Sequence, residues 1–211
     1  MDTTYFGRTF GVMVFKDSIT GKILFKQYVK YETNNLYLSG IKEITRRGIS
    51  IQSIVCDGRK GLFQLFNDIP VQMCQFHQIQ IVTRYLTRKP KNAASIELRA
   101  IALSLTNSSR TQFENQLIQW QNKHQSYLNE RTINPITNKS FYTHKRLRSA
   151  WHSLKRNLPW LFVFEENKEL MINNTTNALD GMFADLKNKL RCHNGLSIQR
   201  KKKFIDGFFK A

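Results

Sequence analysis

The order of the hydrophobic patterns in the first 90 residues constrains the fold of this chain most. A continuous apolar run at residues 10–15 leads into Lys16-Asp17-Ser18-Ile19-Thr20-Gly21, a set of turn formers, and then into residues 22–31, rich in Phe, Tyr, Ile and Val. Together with residues 3–6 these stretches predict a three-stranded antiparallel meander. Leu38, Ile41 and Ile44 recur three residues apart, so a helix is expected over 34–47, stopped by Gly48. Residues 49–56 (ISIQSIVC) read as a β-branched strand ending at Asp57-Gly58. A short helix over 60–67, a strand over 71–76 and a helix over 77–86 follow. Strand–helix–strand steps generate parallel neighbours, so the expected fold class is α/β, with a mixed sheet flanked by helices.

Past Arg88-Lys89-Pro90-Lys91-Asn92 the pattern changes. Residues 93–105 and 110–127 carry helical periodicity, the second through Phe113, Leu117 and Trp120. Residues 129–143 are polar and turn-like, and 145–157 read as helix up to Pro159. The expected organisation is a first sheet part at 1–89, an all-helical insertion at 90–160, and a last segment at 161–211. That segment holds one more helix, 177–190, a basic tail and a final apolar stretch, 204–209.

Charge narrows the partner. The chain has 33 Lys plus Arg against 15 Asp plus Glu, a formal net charge of +18, which points first to nucleic acid. A ribosome-associated or membrane-surface protein fits the charge alone equally well. With 41% apolar residues and 15 Phe the chain can build a core, unlike a disordered basic tail. No apolar run is long enough to span a bilayer, and MDTTYFGR is no secretory signal. Cys56, Cys74 and Cys192 form no disulfide framework and suit a reducing compartment. The bases are clustered. Arg131, Lys139, Lys145, Arg146, Arg148, Lys155 and Arg156 lie in one acid-free stretch. Lys187, Lys189, Arg191, Arg200, Lys201, Lys202 and Lys203 lie in another. Such clusters suit salt-sensitive contacts with a phosphate backbone. Phe141, Tyr142 and Trp151 are either stacking platforms for bases or core residues.

In so basic a chain the acids at element ends are the candidates for chemistry. Asp2 lies on the first strand, Asp57 at the C-terminal end of a strand, and Asp180 near the start of the last helix. At 100° per residue, Lys187 and Arg191 share Asp180's side of that helix, while Leu179, Leu186 and Leu190 cluster about 100° round from it. Carboxylates that bind Mg²⁺ or Mn²⁺ can activate a water or a 3′-hydroxyl against a phosphate. Plainer roles remain open at each position: a surface residue at Asp2, a turn at Asp57-Gly58, a capping box at Asn177-x-x-Asp180. Cys74-Gln75-Phe76-His77 offers two zinc ligands where a structural site needs four, so zinc is disfavoured and a structural role for Cys74 and His77 is preferred.

Four segments carry a resemblance: DTTYFGRTFGVMVFKDS (2–18), CDGRKGLFQLF (56–66), C-Q-F-H (74–77) and TTNALDGMFADLKNKLRCHNGLSIQRKKKFIDGFF (175–209). In this order, over nearly the whole chain, they resemble the catalytic domain of DDE/D transposases of the bacterial Mutator-like group, which have a ribonuclease H-like fold. The resemblance implies that Asp2, Asp57 and Asp180 are the catalytic, metal-binding acids, with Mg²⁺ or Mn²⁺ as cofactor and no small-molecule cofactor. It implies that Cys74 and His77 form the family's C/D(2)H element beside the site, and that the insertion contacts transposon ends. The implied reaction is hydrolysis of a DNA strand followed by attack of the freed 3′-hydroxyl on target DNA. DNA and further copies of the chain are the implied partners, with no membrane, in a cytoplasmic, nucleoid-associated protein. Two departures stand out. Position 180 holds Asp where the family usually has Glu, and only Met1 precedes Asp2, so a chain truncated within its first strand, or a misassigned start at Met1, is expected. The competing expectations are a catalytically inactive DNA-binding remnant and a ribonuclease H-like nuclease without strand transfer.

Overall fold

The computed structural model describes residues 1–210. It is a mixed α/β structure in which helix outweighs strand. Strands β1 (Asp2–Phe6), β2 (Phe10–Lys16) and β3 (Ile23–Val29) form the expected antiparallel meander in the order β1-β2-β3. Every residue of β2 from Phe10 to Phe15 is buried, because its two faces enter different cores. Met13 and Phe15 point into the larger cluster, and Phe10, Val12 and Val14 into a second one. This two-sided burial is why the strand reads as an unbroken apolar run instead of an alternating one.

Helix α1 (Asn34–Arg46) covers the first face. Thr33 caps it by accepting from the Leu36 amide, and Tyr37, Ile41 and Ile44 are buried beneath it. The helix lies so close to the sheet that a Cβ on Gly40 would sit 2.2 Å from the Phe15 ring, which makes glycine a packing requirement there. On the other face lie helices α7 (Asn177–Arg191) and α8 (Ile198–Phe208), through Leu179, Phe183, Leu186 and Ile205. The stretch expected as a basic tail is therefore a docked amphipathic helix. Its Asp206 accepts from the Tyr28 hydroxyl and pairs with Lys26.

Strands β4 (Ile54–Cys56) and β5 (Val71–Met73) pair in parallel, as the strand–helix–strand logic requires. The expected single mixed sheet is not what the hydrogen bonding gives. β4 and β5 form a separate two-stranded sheet, bridged to the meander at one point, where the Met1 amine donates to the Val55 carbonyl at 2.7 Å. Both strands are also shorter than expected, and the helix foreseen at 60–67 is only a 3-10 turn, Phe63–Leu65.

The larger block comprises α2 (Gln75–Leu86), α3 (Ala93–Ser104), α4 (Arg110–Asn129), α5 (Lys145–Leu161) and the short α6 (Val163–Glu166). α4 opens with a full capping box between Ser109 and Gln112. Leu98, Phe113, Trp120 and Leu154 bury into the same cluster as the meander's Met13 and Phe15, so the insertion shares one continuous core with the sheet. The expectation of an all-helical insertion is corrected. Residues 129–143 contain an antiparallel hairpin, β6 (Arg131–Ile133) with β7 (Ser140–Tyr142). Its turn is locally encoded: Asn134 Oδ1 accepts from the Ile136 and Thr137 amides, and Asn138 takes a left-handed φ of 51°. α5 runs on through Pro159 to Leu161. A proline this near the helix end removes one hydrogen bond, which would fall to the solvent-exposed Lys155 turn. Among the described residues no helix is long and apolar enough to cross a membrane.

Candidate metal centre

Strand register decides which way the first acid faces. Asp2 pairs with Val14, so its side chain shares the α7 face of the meander, while Thr3, opposite Met13, turns toward α1. Asp2 is buried to 8% exposure and accepts from the Thr3 amide at 2.7 Å. Asp180 reaches the same place from the first turn of α7, where it also benefits from the helix dipole. His77 arrives from the first turn of α2. Ligand atoms of Asp2, His77 and Asp180 all lie within 4.8 Å of one another. Thr176, not Asn177, is the N-cap of α7 and makes no side-chain cap bond, so the capping-box role considered for Asn177 and Asp180 is not the one taken.

Cys74 holds the two helices together. It is fully buried and is the residue from which α2 starts. Its sulfur accepts from both the amide and the hydroxyl of Thr176 at 3.3 Å, and that hydroxyl lies 3.4 Å from Asp180 Oδ2. The Gln75 amide donates to Asn174, and the Cys74 amide to Cys56, at 2.9 and 2.8 Å. One short stretch thus ties β4, α2 and the entry to α7. The site-adjacent role read for Cys74 is the geometry observed, whereas His77 sits inside the acid cluster.

Asp57 follows β4 directly but is not a member of the three-ligand group. Its charge still reaches Asp2, Glu32 and Tyr37, whose protonated forms it favours. Glu32 and Thr176 belong to this neighbourhood and were missed from sequence. The Glu32 carboxylate accepts from the Tyr37 hydroxyl at 2.7 Å, that hydroxyl lies 3.0 Å from Thr3 Oγ1, and Arg59 donates to the Glu32 carbonyl. No local pattern marks Glu32, though the Thr-Thr before Asn177 is a helix-start signal.

The electrostatics show acids partly balanced by a protonated His77, whose proton a bound metal would displace. Burial pushes the Asp2 carboxyl up to about 6, against the opposing effects of the Thr3 amide and His77. The adjacent Cys74 sulfur, outweighing burial, pushes His77 up to about 9, helped by Asp2 and Asp180. Burial opposes ionisation of the Cys74 thiol, but His77 and the Thr176 donors outweigh it and bring its pKa below the usual value. Burial also raises Glu32. Asp57 Oδ1 and His77 Nδ1 are buried without a hydrogen-bond partner, an arrangement that costs free energy unless another group satisfies them. Oxygen ligands with one imidazole suit Mg²⁺ or Mn²⁺, and Mn²⁺ accepts the imidazole more readily. Cys56 is buried on β4 and Cys192 is exposed beyond α7, so the cysteines do not assemble a zinc site.

The basic clusters divide into exposed and engaged side chains. Arg131, Lys139, Lys145, Arg146, Lys155 and Arg156 of the insertion are exposed. Arg148 is half-buried, donating to the Leu128 carbonyl and lying over the Tyr142 ring. In the second group Arg191, Arg200 and Lys203 are exposed, Lys187 and Lys201 half-buried, and Lys202 covers Phe10 and Tyr28. Trp151 is core, which removes it as a stacking platform, and Phe141 and Tyr142 are half-buried under cations. Compared with profiles of known protein families, with curated protein sequences and with solved structures, the chain gives no match to any.

Proposed function

We propose that this chain is the catalytic region of a DNA transposase of the DDE/D type, in the Mutator-like group, that cleaves and joins DNA strands with a divalent metal. The carrying observation is the convergence of Asp2 and Asp180, from opposite ends of the chain, on one buried locus with His77. The hydrogen bond from the Met1 amine to the Val55 carbonyl, which brings the start of the meander to β4, supports a ribonuclease H-like reading.

In this reading Asp2, Asp180 and His77 hold a divalent cation, with Asp57 completing the carboxylate set. The cation supplies charge stabilisation at the phosphate and a lowered pKa for an attacking hydroxyl or water. The chain's residues orient the reacting phosphate. Cys74 and Thr176 keep α2 and α7 at the spacing the ligands need. The exposed bases of the insertion and of α7 and α8 hold the DNA backbone.

The test combines supercoiled plasmid, blunt duplex oligonucleotides and Mn²⁺. Nicking and joining are expected from the wild type and are lost in Asp57→Asn and Asp2→Asn. Activity that survives Asp57→Asn overturns the metal assignment. Cleavage without joining favours the nuclease, and DNA binding without cleavage the inactive remnant.

A further inference from the structure

The β6–β7 hairpin leaves the helical block as a narrow two-stranded ribbon, and its surface is unlike the rest of the molecule. Its base is locked. Tyr142 lies between two guanidinium groups, Arg131 at 4.6 Å and Arg148 at 3.6 Å from the ring centroid, and Arg131 also donates to Ser140 Oγ at 2.7 Å. Thr132 and Thr143 hydroxyls meet at 2.8 Å, and His144 stacks on Tyr127 while bonded to Glu130. The outer part is the reverse. All of β6 is exposed, with Ile133 at 65%, and Ile136 at the turn is 91% exposed. Lys139 stands exposed beside Ile136, and Lys145 lies over the Phe141 ring at 4.0 Å. The segment from 131 to 164 contains no acid.

A rigid base that carries exposed isoleucines together with exposed cations matches one partner chemistry. The cations suit phosphates, and the isoleucines need an apolar surface lying between two rows of them. The major groove of duplex DNA offers both. It is about 12 Å wide, it admits a two-stranded ribbon, and the C5-methyl of thymine is its apolar feature. We infer that the β6–β7 hairpin enters the major groove of duplex DNA, with Ile136 and Ile133 against thymine methyls and Lys139 and Lys145 on the flanking phosphates. This rests on the DNA reading above and deepens it, by assigning base readout to one hairpin and leaving the rest of the basic surface to the phosphate backbone.

The experiment measures binding of the full chain to alternating dA-dT duplex polymer and to the dA-dU polymer, which lacks the methyl group. The wild type is expected to bind the dA-dT polymer about 5- to 10-fold more tightly, at the low end of the range of a discriminating base contact. Ile133→Ala and Ile136→Ala together are expected to abolish that difference, and Ile136→Ala alone to reduce it, while leaving the salt dependence unchanged. Lys139→Ala should weaken both polymers equally and lower the salt slope by about one. Equal wild-type binding to the two polymers, or a double variant that retains the preference, overturns the inference while the DNA-binding function stands. Failure to bind either polymer at low salt overturns both. Concentration-dependent self-association abolished by Ile136→Ala, with unchanged DNA binding, assigns the hairpin to contacts between copies and also overturns the inference.

Discussion

The metal centre and the hairpin are built on opposite plans. The candidate centre gathers Asp2, His77 and Asp180 from three elements, with Asp57 nearby, and buries them at least partly, and burial holds the Asp2 carboxyl above its usual range. The hairpin draws its side chains from one contiguous stretch and leaves most of them in water, with Phe141 and Tyr142 half-buried. A buried site of like charges needs the whole fold to hold it together and a cation to satisfy it. An exposed ribbon of cations and isoleucines needs only a sound turn and a fixed base. The two regions should therefore respond oppositely to metal, pH and core damage.

The largest expected effect separates them outright. Asp180→Ala should abolish Mn²⁺ binding in isothermal calorimetry while leaving affinity for duplex DNA within about 2-fold, because exposed bases dominate that affinity. Equal loss of both would mean that the regions are not separable. The next effect tests whether the shared core makes them one cooperative unit. Phe113 is fully buried in the cluster that also contains Met13 and Phe15. Phe113→Ala should cost about 3–5 kcal/mol and lower the melting temperature of the whole chain in a single calorimetric transition. Two transitions, with the sheet unaffected, would make the insertion an independent domain.

Of the two regions, the candidate metal centre is the one with a pH response. The folded pKa of Asp2, about 6, lies above the unfolded value of about 3.9, so the folded state binds its proton more tightly. That contribution is complete below the unfolded pKa and is lost as pH rises through the folded one. In metal-free protein, Asp2→Asn should remove on the order of 2 kcal/mol of the stability change between pH 4 and pH 7. Denaturant titrations at both pH values check this, and identical profiles would place Asp2 in a solvated environment. The smallest effect concerns Thr176. Thr176→Val deletes the hydroxyl that reaches both Cys74 and Asp180, and should cost about 0.5–1.5 kcal/mol and weaken Mn²⁺ binding about 10-fold. Unchanged Mn²⁺ affinity would show that packing alone positions Asp180.

Legibility followed the range of the interactions. The meander, α1, the parallel β4–β5 step and α7 were readable because hydrophobic periodicity is a local record of burial. The insertion's hairpin was missed because its strands are three residues each and carry little apolar pattern. Yet its turn, Asn134-Pro135-Ile136-Thr137-Asn138, holds the residues such turns use. Asp2 and Asp180 were nameable from their places at element ends. The membership of His77 was not, because it depends on Cys74 starting α2 so that the fourth residue after β5 reaches the two acids. Glu32 gave no signal at all, since its partners Tyr37 and Arg59 meet it only across the packed α1 and the β4 loop.

By itself the sequence determined the alternation of strand and helix, the two acid-free basic stretches and the acids that could bind a metal. These follow from composition and from periods of two and 3.6 residues, which any local window contains. Only the tertiary structure decided which acids meet, which bases are free for a partner and which already hold the protein together. Those outcomes depend on strand register and helix docking. Pairing Asp2 with Val14 turns its carboxylate toward α7 and Asp180, and a register slip of one residue would turn it toward α1 instead.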